Sequence, residues 1–337
     1  MINPTYPGVY VREESSGARA VAGVATSVTA FVGMTERGPL DTPKQIFNLP
    51  DYERNFGSGS AGGEMLPQVK LFFDNGGGEA FVTRIANGAQ QATITVRDES
   101  GTDTLEFVAK EHGVSGNRVR AEISYDSISP ESRFNLRLYR RIVSTTGSVS
   151  EENAEVFTNL SMNPDDPSYI KSVVDVQSEL VTVENLAAAP AAGAESVLYT
   201  GLIYPNTAND ARDDMYARLG LEGAVTTATF DFQIRIDQSQ PVGVSVTLND
   251  TMAMTPLATA IETAINTALS ADGSAATINF DWDNNPGQSR RHMIVRCADH
   301  SFEFIPGTIN DLTAPLMLTE SQGAIYLDRF GPTRPAP

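Results

Sequence analysis

The sequence contains few of the residues that build disulfide frameworks and metal sites. One cysteine, Cys297, stands among the 337 residues, which excludes disulfides within the chain and favours synthesis in a reducing compartment. The 3 histidines and the cysteine show neither His-x-x-x-His nor Cys-x-x-Cys spacing, so we predict no metal site. Membrane insertion is not expected either, because no apolar run reaches the roughly 18 residues of a membrane span. Residues 1–10 also lack the pattern of a secretory signal.

Basic residues are also scarce. The chain has 24 Lys and Arg against 42 Asp and Glu, a net charge of −18, which argues against a nucleic-acid partner because phosphate binding needs clustered cations. The excess acid lies beyond residue 90: residues 1–90 contribute −2, whereas residues 91–200 and 201–337 contribute −8 each. We interpret this acid as solvated outer surface; the alternative is a site that attracts or repels a charged partner.

A search for catalytic motifs gives a negative result. Gly113-Val114-Ser115-Gly116 is not the Gly-x-Ser-x-Gly elbow of a hydrolase, and residues 281–285 lack the glycine and distal Glu of a calcium loop. The run Gly76, Gly77 and Gly78 follows a predicted helix and precedes a predicted strand, which is the reverse of a phosphate-binding loop. We therefore predict a structural turn at these glycines, and neither catalytic residues nor a cofactor; the chain is not expected to be an enzyme.

Residues 1–22 have the pattern of an extended N-terminal arm. A Pro-Gly turn precedes β-forming residues, in the order Tyr6, Pro7, Gly8, Val9, Tyr10, Val11 and Arg12. The backbone of such a strand needs hydrogen-bonding partners, which the same chain or another molecule has to supply.

Residues 23–88 show an αβ pattern. Val28–Gly33 is a short apolar run that suits a strand covered on both faces. Thr42-Pro43 predicts the start of a short helix through Phe47, and residues 65–75 predict a second helix that the glycine run ends. Residues 79–85 predict the next strand.

The rest of the chain is predicted to be mostly β. Residues 89–200 alternate with period two in several places and contain one amphipathic helix around residues 168–180. Residues 201–326 predict a separate β-rich domain with one helix that starts at Thr255-Pro256. Residues 327–337 carry three prolines without a core pattern and predict a tail or linker. The fold class is thus α+β and multidomain, with an arm, a partial αβ core layer and two β-rich domains.

Four segments near the N-terminus resemble phage tail sheath proteins. Residues 6–13 match that family's PGVYV-E opening, and residues 26–39 resemble its TSV-AFVG segment with the following RGP. Residues 72–78 and 81–84 resemble FF-NGG and the strand after it. A looser resemblance continues to about residue 185. The four segments stand in the family's order and at its spacings.

The resemblance implies a sheath subunit of a contractile tail, in a phage virion or a bacterial contractile injection particle. Such subunits polymerise around an inner tube and contract to drive it through a cell envelope, which in a phage leads to genome ejection. The implied partners are other sheath copies, the inner tail tube protein, and baseplate and tail terminator proteins. Residues 6–12 would then pair with a neighbouring subunit; the alternative is an ordinary edge strand within one subunit. Synthesis is expected in the host cytoplasm. Residues 201–326 would be an inserted outer domain.

Two further expectations concern completeness and the rival function. The family's conserved C-terminal portion is not visible before Pro337. We therefore expect a truncated product, or a split gene in which a second chain completes the core domain. The alternative function is a β-rich adhesin or receptor-binding module of a tail particle, which would explain residues 201–326 alone.

Overall fold

The computed structural model describes residues 28–58, 63–127, 129–144, 146–202, 204–205, 208–221, 226–282 and 290–337. The predicted N-terminal arm lies outside these residues. The chain divides into two compact units, Met1–Gly88 and Ala89–Pro337. Helices and several small, separate sheets occur along the chain, which confirms the predicted α+β class with more than one β-rich part.

The first unit is a three-stranded sheet with two helices. Its elements are β1 (Val28–Gly33), β2 (Lys44–Ile46), α1 (Leu49–Phe56), α2 (Met65–Asp74) and β3 (Glu79–Arg84). The strand order is β1-β3-β2, with β3 parallel to β1 and antiparallel to β2. The predictions of β1, α2 and β3 are therefore confirmed within one or two residues at each end.

The helix predicted from Thr42 to Phe47 is wrong. The structure has the strand β2 there, and the helix α1 begins only after Asn48. Ile46 is fully buried on the sheet, and this tertiary contact outweighs the local Thr-Pro signal. Asn48 provides the true cap, since its Oδ1 accepts a hydrogen bond from the backbone N–H of Asp51 at 2.8 Å.

The second unit begins with two antiparallel sheets around a shared core. The elements are β4 (Gln91–Arg97), β5 (Asp103–His112), β6 (Val119–Ser124), β7 (Arg133–Val143), β8 (Val149–Ser161), α3 (Ile170–Gln177) and β9 (Val181–Asn185). The sheet orders are β4-β5-β9 and β6-β7-β8. Phe134, Leu136 and Leu138 of β7 are fully buried, and Ile170 and Val174 of α3 complete this core, which we call the first core.

A larger second core follows in the same unit. Its elements are β10 (Glu195–Tyr199), β11 (Tyr204–Pro205), α4 (Ala208–Leu219), β12 (Thr227–Ile236), β13 (Val242–Asn249), α5 (Met254–Ala271), β14 (Ile278–Trp282), β15 (Arg290–Arg291), β16 (Met293–Ala298), β17 (Phe302–Pro306), α6 (Thr313–Leu316) and β18 (Ile325–Leu327). Two main sheets, β14-β16-β10-β18 and β13-β12-β17, pack with α5. Every fourth residue of α5 from Leu257 to Leu269 is fully buried, as its period predicts.

The C-terminal segment, predicted to be a tail or linker, packs against the rest of the second unit. Phe330 packs against the first core, although the residues before the segment belong to the second core. Tyr125 donates its hydroxyl hydrogen bond to the carbonyl of Pro335 at 2.8 Å, and Ala336 N–H donates to the carbonyl of Arg97 at 2.7 Å. Residues 328–336 therefore connect the second core to the first. Periodic patterns in the sequence did not predict this role, because prolines lack the N–H that a strand ladder needs and so interrupt such patterns.

The cap of α1 is testable. Replacing Asn48 with Ala removes the acceptor for Asp51 N–H and should cost about 1 kcal/mol. Amide hydrogen exchange across residues 49–56 should then be roughly fivefold faster than in the unchanged chain. Asn48→Asp keeps an acceptor at the same position and should preserve the protection. Equal protection in the Ala and Asp variants would contradict the assigned cap.

Candidate assembly surface

The helices of the first unit cover one face of its sheet. Ile46, Ala80 and Val82 lie on that face and are fully buried. Phe31 of β1 meets the ring of Phe72 on α2 edge to face, with ring centroids 5.7 Å apart. Aromatic contacts of this geometry add specificity to apolar burial, so they fix the position of α2 on the sheet.

The opposite face of the same sheet is uncovered among the described residues. It is apolar along β1, whereas Gln45, Glu79 and Thr83 lie on its β2 and β3 part. Val28, Ala30 and Val32 alternate along β1 on that side, and Val28 and Val32 are 52% and 64% exposed. Phe81 of β3 stands beside Ala30 in the parallel register and is half-buried. We call these four residues the open face. The sequence predicted that β1 would be covered on both faces, as parallel strands usually are; the structure covers one.

The glycine run closes α2 against this sheet. Gly76 has φ +87°, a left-handed conformation that suits glycine, and Gly77 N–H donates to the carbonyl of Phe72 at 3.0 Å. A Cβ atom on Gly77 would lie within 2.4 Å of the Phe72 ring. The run thus keeps α2 and its aromatic contact close to β3. The N–H groups of Gly76 and Gly77 both bond to the end of α2.

The predicted inter-subunit strand, residues 6–12, falls outside the described residues. Its pairing with a neighbouring subunit therefore stays a prediction. None of the helices among the described residues is long and apolar enough to cross a membrane.

His292 and His300 contact different partners. His292 Nδ1 lies 3.0 Å from the Thr200 carbonyl, whereas His300 Nδ1 lies 2.7 Å from Asp237 Oδ2. Burial raises the pKa of the Cys297 thiol to about 11, so little thiolate forms near neutral pH. Within the ranges that the structure describes, no three His, Cys, Asp or Glu side chains are grouped so that they could hold a metal ion.

A cleft of about 640 Å³ lies between the two cores of the second unit. At its base, the carboxylate of Asp328 accepts hydrogen bonds from Ser301 Oγ at 2.8 Å and from Asn163 Nδ2 at 3.3 Å. Its other oxygen accepts from Phe330 N–H at 2.8 Å, and Asp328 N–H donates to Ser132 Oγ at 2.8 Å. Asn163, Ser301 and Asp328 are all nearly buried. We call these three residues the buried joint.

The hydrogen bonds of the buried joint are made between groups of the protein itself. Burial, and then the charge of Asp328, raise the pKa of Tyr326 far above its usual range, so its hydroxyl stays a donor. That hydroxyl lies 3.4 Å from Asp328 Oδ2 and accepts from Phe302 N–H at 3.2 Å. The arrangement binds the two cores together. Sequence reading did not find these residues, since they carry no motif and meet only in the folded chain.

The chain has low similarity to two solved sheath tail proteins. No family model and no curated protein matches the chain. A sheath tail protein from Desulfitobacterium hafniense is 14% identical with a TM-score of 0.34, over 54% of this chain and 36% of that one. A sheath tail protein from Listeria innocua is 15% identical with a TM-score of 0.32, over 48% and 31%. The chain thus spans about a third of the length of either neighbour, and the likeness is too low to carry an assignment.

The buried joint predicts a strong effect at Asp328. Asp328→Ala leaves the donors of Asn163 and Ser301 without their carboxylate, which should lower the free energy of unfolding by about 3 kcal/mol. The single tryptophan, Trp282, is buried in the second core, so its fluorescence during urea unfolding measures the loss. The exposed Asp126→Ala should change stability by less than about 0.5 kcal/mol. Similar midpoints for the two variants would contradict the role given to Asp328.

Proposed function

We propose that the chain is a structural subunit of a contractile tail sheath. In this proposal, copies polymerise around an inner tube, and the array contracts to drive the tube through a cell envelope. The particle is a phage virion or a bacterial contractile injection particle. The chain acts by assembly and not as an enzyme.

The observation that carries the proposal is the open face of the first unit. The segments that resemble sheath proteins are the ones that build this layer: residues 28–33 form β1, residues 72–78 end α2, and residues 81–84 belong to β3. They converge on one small sheet, where the four apolar residues of the open face are left uncovered by the described residues. Exposed apolar surface of this kind typically marks an interaction site.

Strand addition between subunits fits a sheath that must stay connected while it moves. Main-chain hydrogen bonds hold two sheets together without demanding particular side chains. Residues 6–12 would be the donated strand, and the edge of β1 is unpaired among the described residues. A strand given to the next copy makes a heterologous contact, and repeated heterologous contacts build open helical arrays.

The remaining partners follow from the same proposal. Other sheath copies, or a second chain that completes the core domain, would cover the open face. The inner tail tube, baseplate and tail terminator proteins would contact the array, and the acidic residues beyond residue 90 would face outward and keep it soluble. Contraction would draw on contacts that form between subunits as the array shortens.

A charge on the open face should prevent assembly. Val32→Asp places a carboxylate where the proposal buries an apolar side chain, so tubes or rings seen by electron microscopy should be lost or strongly reduced. The matched control is Val143→Asp, because Val143 is 59% exposed in the second unit and Val32 is 64% exposed. Assemblies of the unchanged chain, alone or with a second sheath chain, provide the reference.

Two results would count against the proposal in this experiment. Normal assemblies from Val32→Asp would mean that the open face is not covered by a partner. No ordered assemblies from the unchanged chain under any combination would favour the adhesin alternative. Circular dichroism of both variants checks that the fold survives.

The arm has its own test. A chain lacking residues 1–20 should fold but fail to form extended assemblies, because it cannot donate the strand at residues 6–12. Sedimentation and electron microscopy measure the assembly, and hydrogen exchange within residues 89–337 reports the fold. Normal polymerisation of the shortened chain would refute the role proposed for the arm.

A further inference from the structure

The strand β13 presents a free edge in the second unit. It is the outer strand of the sheet β13-β12-β17, and it pairs with β12 over eight residues without a bulge. Val244, Val246 and Leu248 point into the second core, whereas Gly243, Ser245 and Thr247 are exposed. The outward N–H and C=O groups of this edge have no strand partner among the described residues, so the edge can accept another strand.

Natural proteins protect such edges with charged residues, prolines or bulges. Other edge strands of more than three residues in the described part of this unit follow that rule. Charged residues occur in β4, β6, β8, β9, β14 and β17, namely Arg97, Arg120, Glu122, Glu151, Glu152, Glu155, Glu184, Asp281 and Glu303. In contrast, β13 carries neither a charged residue nor a proline over Val242–Asn249.

The surface beside this edge is a shallow groove of about 700 Å³ between β13 and α5. Small side chains line it on the helix, in the order Thr255, Pro256, Thr259, Ala260, Thr263 and Ala264. They leave room for the side chains of an added strand. The groove and the free edge therefore lie next to each other and face the same incoming segment.

Charge is depleted over the whole surface. In a chain with 20% charged residues, residues 241–271 contain only Asp250 and Glu262. Glu262 accepts a hydrogen bond from Phe280 N–H at 3.0 Å, so it is engaged with β14. Depletion of charged residues is typical of the centre of a protein interface.

We propose that β13 pairs antiparallel with β13 of a second copy of this chain, with the groove along α5 covered by the contact. Antiparallel pairing about a two-fold axis sets residues of one strand opposite residues of the identical strand. A charge near the axis would then face a like charge, which is destabilising. Among the long edge strands compared above, β13 alone avoids that conflict. The rest of the chain carries a net charge of −18, so two copies approach most easily where acid is absent.

This contact is independent of the proposed sheath function. A two-fold contact is isologous and closes on itself, whereas an open array needs heterologous contacts. Pairing through β13 would therefore join two subunits, or two subunits of adjacent arrays, and would not by itself extend an array.

The test uses the full chain in sedimentation equilibrium up to about 100 µM, where an interface of micromolar affinity is saturated. Because association through the open face would extend the assembly further, the full chain carries Val32→Asp in this measurement, and we expect it to be a dimer. Ser245→Lys and Thr247→Lys each place a lysine opposite or next to its own copy and should raise the dimer dissociation constant by at least about tenfold. Gln233→Lys adds the same charge to the exposed side of the central strand β12 and should leave the constant unchanged.

A crosslinking variant locates the contact. The double variant Ser245→Cys and Thr247→Cys should give covalent dimers with a short bis-maleimide, because axes centred on residues 245, 246 or 247 all bring two thiols together. The native Cys297 is only 1% exposed and should not react. Thr229→Cys with Gln233→Cys, on β12, is the matched control and should give none.

Three outcomes would overturn the inference. The chain stays monomeric at about 100 µM; it dimerises equally with the lysine variants; or it assembles without crosslinks at residues 245 and 247. The third result would leave the proposed sheath function intact. Crosslinked dimers from a chain that never forms tubes or rings would support β13 pairing and count against the sheath function.

Discussion

The described part of this chain is built from six sheets of two to four strands, and small sheets always leave edges to pair and faces to cover. In the second unit the chain itself meets most of this demand. The helix α5 covers two sheets with a row of aliphatic side chains, and charged residues protect most of the strand edges. In the first unit, α1 and α2 cover one face of the sheet, and the described residues leave the other to water. Strand edges need hydrogen-bonding partners and apolar sheet faces need a covering layer. These two needs account for both the stable cores and the surfaces left for partners.

Elements that are encoded locally could be predicted from the sequence. Apolar residues alternate in β12 and β14 and recur about every four residues in α5, because each element is buried on one side. Each pattern therefore predicts both the element and its inner face. The strand β2 shows the limit. Thr42-Pro43 is a valid helix-start signal, but Ile46 is fully buried on a sheet whose other strands are distant in sequence. Only the tertiary structure decides between the two, and the burial of Ile46 favours the strand.

The candidate surface could be predicted only in part, because its strand is encoded locally whereas the layers around it are set by the tertiary structure. The apolar run of β1 indicates a strand that seeks cover, but a run of apolar residues does not reveal which face lacks a layer. The buried joint could not be predicted at all. Asn163 and Ser301 are 138 positions apart, and Ser301 and Asp328 are 27 apart, so no local pattern relates them. In the sequence, these polar residues look like residues of surface loops. The fold buries them, and a buried polar side chain needs a hydrogen-bonding partner.

The two free edges, β1 and β13, differ in the contact that each can make. The edge of β1 belongs to a sheet with an apolar open face, so a partner there gains backbone pairing and apolar burial together. The edge of β13 adjoins small, uncharged side chains and a protein core that is already covered, so its partner gains mainly backbone hydrogen bonds, which contribute only modest net free energy in water. We therefore expect the stronger association at the first unit and a weaker, reversible one at β13. An acidic chain can hold both contacts because its charge is placed away from both strands.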